Sequence, residues 1–382
     1  MSLCVALLPR RGLRMAAAAA AAGRRSVVRA RAGRSGDGAS PRGGKRPTAA
    51  AGAATLAGGL GLSVFSLFSR EAEKEKDSAE GQSEAKEEDT IILLLKKAKL
   101  SIMKGELEEA ERLLHEAARL SHQLDNKQAI MYTYDTMANL AFMRGQLDHA
   151  EKLFKAAMSY LLAGDMKQDD NAIIEMSLKL ASIYAARNED KLALAGYEFC
   201  ILTLEEKVAK QKDIPVDVLP EEEKSNTRLL LGMTLDSYAR YLLAHSQAAA
   251  AQRMYERALQ ISMEVQGETH PQTVVLMNDL ATALDAQGLY EDAYARVRRA
   301  SELAQQTEHP ETYIVLNNFA GILMHKEEYS SAKAVYKEAL QKAEAAGDGA
   351  SVRHIRKELA ELARRKRKGP VSTAGSSGEQ QK

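Results

Sequence analysis

Eight histidines and two cysteines are the side chains in this sequence best suited to metal or nucleophilic chemistry, and their spacing supports neither. His115 and His122 lie seven residues apart, on one side of a helix, but no third ligand accompanies them. Cys4 and Cys200 stand far apart, without CxxC-type spacing and without a prospect of a structural disulfide. Cys200 falls on an apolar helical face and reads as a buried structural thiol. No phosphate-binding glycine loop, HExxH helix or nucleophile elbow occurs. Catalysis, a metal site and a cofactor are therefore not expected, and function must lie in what the chain holds.

The elements around these residues repeat. The stretch "NDLATALDAQGLYEDAYARVRRAS" from Asn278 and the stretch "NNFAGILMHKEEYSSAKAVYKEAL" from Asn317 place small, aromatic and apolar residues at matching offsets. Extending that alignment gives six registers. Their key alanines are Ala110, Ala150, Ala193, Ala251, Ala293 and Ala332. Twelve residues earlier stand Ala98, Ala138, Ala181, Ala239, Ala281 and Ala320. Four residues later come Leu114, Phe154, Tyr197, Tyr255, Val297 and Tyr336, and seven later Ala117, Ala157, Cys200, Ala258, Ala300 and Ala339. Two antiparallel helices approach closely only where the contact residues are short, so this pattern predicts a helix pair in each register. The turn between the paired helices carries Gly105, Gly145 and Gly288, with Asn188, Ser246 and Glu327 in the other registers; glycine there supplies a positive φ at little cost. No pair buries its apolar face alone, so the array must stack.

The small–x₁₁–Ala–x₃–aromatic–x₂–Ala pattern resembles the tetratricopeptide repeat. The stretches "GETHPQTVVLMNDLA" and "TEHPETYIVLNNFA" resemble its longer variant in kinesin light chains, and put His270-Pro271 and His309-Pro310 ahead of a helix in a structural role. The resemblance implies an all-α, right-handed superhelical solenoid of about six helix-turn-helix repeats over residues 90–345. A capping helix follows over 346–368, with Val352, Ile355, Leu359 and Leu362 as its apolar stripe, and then a disordered tail over 369–382. The segment Glu205–Asn226, with its two prolines and cluster of acids, reads as a loop inserted between repeats.

In this fold the first helix of each pair lines an inner groove. Its fifth positions are Leu95, Asp135, Leu178, Asp236, Asn278 and Asn317; its ninth are Lys99, Asn139, Ser182, Arg240, Thr282 and Gly321. Asp135, Asn139, Asp236, Arg240, Asn278 and Asn317 are the candidate groove residues, able to bond the main chain of an extended peptide. The same positions also suit an ordinary hydrated surface. The Lys/Asn carboxylate clamp of the chaperone-binding members is not completed.

The head of the chain differs from this body. Residues 1–70 hold eleven Arg and one Lys against the single acid Asp37, a net +11 in a chain whose total is +1, so the rest carries −10. Residues 1–48 read as a mitochondrial targeting region, Arg-rich and Ala/Ser-rich with almost no acid. Residues 49–68, "AAAGAATLAGGLGLSVFSLF", are uncharged and long enough for one bilayer crossing, or belong to a longer cleaved presequence. If the segment spans, Arg42, Lys45 and Arg46 before it and Glu71, Glu73, Glu75 and Asp77 after it favour a body in the intermembrane space; cleavage near residue 70 leaves it in the matrix. Residues 69–89 read as a charged tether, disordered or loosely helical.

Taken whole, the basic head, the stretch ending "LSVFSLFSREAEKE" and the long repeats resemble a family of mitochondrial inner-membrane factors for respiratory complex III. That resemblance implies a partner in the complex, its Rieske iron–sulfur subunit above all, and no nucleic acid. The alternatives are a cytosolic scaffold or cargo adaptor of kinesin-light-chain type, and a chaperone or import receptor.

Overall fold

The computed structural model describes residues 79–163 and 167–368, and every regular element among them is helical. The expected targeting region 1–48, the uncharged segment 49–68 and the tail 369–382 lie outside the described residues. The chain divides into two compact units, one ending at Ser246 and the other beginning at Gln247.

The first unit contains α1 (Ala79–Lys104), α2 (Leu107–Gln123), α3 (Lys127–Met143), α4 (Leu147–Ala163), α5 (Asn171–Ala186), α6 (Asp190–Gln211) and α7 (Glu221–Ala244). The second contains α8 (Ala248–Gln266), α9 (Pro271–Ala286), α10 (Tyr290–Gln306), α11 (Thr312–His325), α12 (Tyr329–Ala345) and α13 (Gly349–Lys368). Within each unit, every substantial helix–helix contact joins helices that are adjacent or next-but-one in sequence.

Small side chains set these contacts. All members of the four repeat-packing sets, from Ala98 to Ala339, are at most 2% exposed. The crossing between α5 and α6 uses a glycine: a Cβ added to Gly196 would lie 2.7 Å from that of Ala181. At the six turns inside the registers, Gly105, Gly145, Asn188, Ser246, Gly288 and Glu327 all take φ between 60° and 82°. The turn geometry thus recurs whether or not glycine fills it, and the three non-glycine residues hold a left-handed conformation that disfavours a side chain.

The two His-Pro pairs diverge in detail. His270 caps α9, its Nδ1 accepting from the Gln272 amide at 3.1 Å, with Pro271 as the first helical residue. His309 accepts in the same way from the Glu311 amide at 3.1 Å, but α11 begins only at Thr312, after a turn that contains Pro310. In the second unit, α13 closes the array by burying Ile355 and Leu362 against α11 and α12, with Val352 and Leu359 half-buried beside them.

The tether 69–89, expected to be disordered or loosely helical, is helical from Ala79, where α1 opens, because a run rich in Ala, Glu, Gln and Lys favours helix even without an apolar face. One boundary differs from expectation. The expected insertion Glu205–Asn226 is mostly absorbed by its neighbours: α6 runs to Gln211 and α7 starts at Glu221, leaving a loop over 212–220. Pro220 precedes the helix and Glu221, Glu222 and Glu223 occupy its first turn, where acids complement the helix dipole.

Candidate protein-binding face

Within each unit, the fifth and ninth positions of the first helices behave differently. The fifth positions are mostly consumed inside the structure. Asp135 is 5% exposed, Asp236 4% and Asn278 0%, whereas Asn317 is half-buried. All six ninth positions, Lys99, Asn139, Ser182, Arg240, Thr282 and Gly321, are half-buried and stay within reach of solvent.

Each buried fifth position has acquired internal partners. In the first unit Lys179 reaches from α5 to α3, its Nζ 2.7 Å from Asp135 Oδ1 and 3.1 Å from Glu175 Oε1. Burial works against the ammonium charge, but the carboxylates of Asp135 and Glu175 outweigh it, and the lysine pKa ends above its ordinary value. Asn139 Nδ2 donates to the Asp135 carbonyl at 2.8 Å and to its Oδ2 at 3.0 Å. Lys99 sits 4.9 Å from the Tyr132 ring centroid, its pKa lowered chiefly by burial. Two lysines and two carboxylates therefore balance across α1, α3 and α5. On α7, Arg240 Nε donates to Asp236 Oδ1 at 3.0 Å, and its Nη2 engages the other carboxylate oxygen.

The second unit uses amides instead of charges. Asn318 Nδ2 donates to Asn278 Oδ1 at 3.0 Å, and Asn278 Nδ2 donates to Asp279 Oδ1 at 3.1 Å. Asn317 Nδ2 donates weakly, at 3.4 Å, to Asn318 Oδ1, while its own Oδ1 is buried without a partner.

The structure therefore narrows the candidate groove. Asp135, Asp236 and Asn278 hold neighbouring side chains in place and present almost no surface, a correction to the reading of them as groove contacts. Asn139, Arg240 and Asn317 keep exposed surface that a ligand can meet. Lys179 and Glu175 were not singled out in the sequence, where a Glu and a Lys four apart read as an ordinary solvated helix pair; the signal was their setting in "AIIEMSLKLAS", apolar on every side.

The other chemistry-bearing residues are structural. Cys200 is 0% exposed, its Sγ 3.5 Å from the Ile174 carbonyl, and burial pushes its thiol pKa up to about 12. His122 Nε2 lies 2.8 Å from the Tyr134 hydroxyl, and among the described residues no group of three or more His, Cys, Asp or Glu could hold a metal ion.

Helix pairs locked by small residues, with a partly open polar face along their first helices, define a helical-repeat scaffold of the tetratricopeptide kind. The family model described as "Tetratricopeptide repeat" matches residues 226–306. The chain belongs to the family of mitochondrial tetratricopeptide repeat protein 19: it is 56% identical to the human protein over 313 residues, covering 80% of this chain and 82% of that one. The zebrafish protein is 53% identical over 64% of this chain and 59% of its own length, and the Drosophila melanogaster homologue 24% identical over 66% and 65%. Among solved structures, the apo quorum sensor NprR from B. thuringiensis superposes with a TM-score of 0.53 at 15% identity, covering 75% of this chain and 74% of that one. The apo form of RapI gives 0.52 at 14%, covering 69% and 68%. At such identities the likeness bears on the fold alone. The chain is a helical scaffold of a mitochondrial family.

Proposed function

We propose that this protein is a non-catalytic assembly or maintenance factor for respiratory complex III, acting at the Rieske iron–sulfur subunit in its maturation or in the clearance of its fragments. The observation that carries this reading is the relationship to the mitochondrial family over 80% of the chain, together with the whole-chain resemblance to inner-membrane factors of complex III. The protein holds an extended segment of the Rieske subunit along the first helices of its repeats. Asn139 and Arg240, on first helices of the first unit, contact that segment. Clearance needs a separate protease. Residues 49–68 anchor the chain in the inner membrane with the body in the intermembrane space, as the flanking charges favour.

The test is partner recovery. The C-terminally tagged protein is isolated from mitochondria in mild detergent, and co-purifying proteins are identified by mass spectrometry and by native gel. Complex III subunits at near-stoichiometric yield support the proposal. Motor or chaperone components without complex III replace it with an adaptor or receptor role. Protease protection in mitoplasts reports the side on which the body lies.

A further inference from the structure

Exposed large apolar side chains cluster at three places among the described residues: Leu93, Leu100 and Met103 on α1; Leu192, Phe199 and Leu202 on α6; and Val216 and Val218 in the loop after α6. The first group has a chemistry the others lack. Leu93, Leu100 and Met103 are 50–55% exposed and stand at offsets of seven and ten, on one face of the helix. Lys96, Lys97 and Lys104, all exposed, lie on that same face between and beside them. No acid occurs from Thr90 to Lys104; the exposed acids Glu87, Glu88 and Asp89 end one turn before Leu93. The opposite face of α1 is fully employed, with Ile91, Leu94, Leu95, Ala98 and Ile102 buried in the core shared with α2 and α3. No described helix precedes α1 to cover what remains.

We infer that this face of α1 lies on an anionic phospholipid surface. A patch that docks another protein keeps charge out of its centre and gathers polar groups at its rim. Here a lysine stands beside every apolar residue, which suits side chains seated at the boundary of headgroups and acyl chains while their ammonium neighbours meet phosphates. The exposed stripe on α6 is the contrast: beside Leu192, Phe199 and Leu202 the exposed Glu198 and Glu206 balance Lys191 and Lys210, the last paired with Glu206 at 2.6 Å, so no excess of cations favours an anionic surface there. Chain geometry adds proximity. Residues 69–78 span at most about 36 Å when extended, and the helix from Ala79 to Leu93 adds about 21 Å, so the stripe stays within reach of whatever bilayer residues 49–68 occupy. The inference takes only this nearness from the proposed function. α1 becomes a second membrane contact that orients the first unit on the bilayer.

The test uses the full chain with Cys4→Ser and a single added cysteine, Leu100→Cys on the stripe or Leu289→Cys, an exposed apolar site in the second unit. Cys200 stays unlabelled because it is buried. A fluorophore at the added cysteine is read against phosphatidylcholine vesicles, with and without cardiolipin, that carry nitroxide-labelled lipid. Quenching at position 100 but not 289, dependent on cardiolipin and weakened about fivefold for each lysine changed in Lys96→Gln, Lys97→Gln and Lys104→Gln, supports the inference. Absence of quenching at 100, equal quenching at 289, or equal quenching without cardiolipin overturns it. A fluorescence change at 100 that follows protein concentration without vesicles assigns the face to a second copy instead and also overturns it. Extraction of the chain by alkaline carbonate tests the anchor separately and leaves the quenching result standing.

Discussion

Lys179 Nζ lies 2.7 Å from the Asp135 carboxylate, on the first helix of the preceding repeat, with their side chains 2% and 8% exposed. A cation withdrawn this far from water is held by its two carboxylates, and they by it. Lys179→Met removes the cation that Asp135 and Glu175 bond directly, leaving only the half-buried Lys99 nearby, and should cost about 3–5 kcal/mol in urea unfolding. Adding Asp135→Asn and Glu175→Gln should recover most of that loss, because no buried carboxylate then lacks its cation and the remaining Lys99 keeps access to solvent. A Lys179→Met variant as stable as the parent would show that the three groups do not share a dry site.

The α5–α6 crossing makes a second prediction. Gly196→Ala places a methyl 2.7 Å from Ala181 Cβ, and the helices must move apart. Ala293→Leu and Ala332→Leu overpack fully buried positions in the same way. Each should lose about 1–3 kcal/mol in stability measured by urea or thermal unfolding. Unchanged stability in all three would mean that small residues are not what sets the helix approach.

The opposite sign is expected at the turn between α11 and α12. Glu327 is exposed and holds φ at 63°, where an L side chain is disfavoured. Glu327→Gly relieves that conformation and should stabilise by about 0.5–1 kcal/mol after the greater flexibility of glycine in the unfolded chain is counted. A fall in melting temperature would contradict the turn's geometry.

His270 gives the fold a pH dependence of defined direction. Burial lowers its pKa below the ordinary value, and its neutral Nδ1 caps α9. Because the folded pKa is the depressed one, the contribution is complete above the unfolded value of about 6.5 and is lost as pH falls through the folded value. His270→Asn keeps a capping acceptor at every pH. Its stability should decline less than the parent's between pH 7 and 5, though not vanish, since burial also lowers the pKa of His354. Parallel pH profiles would remove His270 from the account.

The repeat architecture was legible because steric rules act locally. A residue such as Ala332 must be small wherever two helices touch, and Glu327 turns left-handed at the same offset as Gly288, so letters twelve or four apart carry the register. The binding face was harder to read. Asp135 looks like an open polar position until Lys179, 44 residues later in the chain, is brought against it. That pairing depends on how one repeat stacks on the next, which periodicity within a repeat does not encode. The loop after α6 was overestimated for a related reason: its charged flanks suit exposed helix as well as loop, and only Pro215 and Pro220 mark the true break.

The restriction of helix contacts to near neighbours has a kinetic side. Each element completes its packing with chain that is at most a few dozen residues away, so little loop entropy is spent before contacts begin to repay it, and folding should be fast and progressive. A polypeptide that emerges from a narrow passage end-first can close each helix pair as it arrives, without waiting for a distant strand or terminus. Such a chain spends little time with long apolar segments uncovered, which is an advantage for any protein that must be threaded through a membrane before it can take shape.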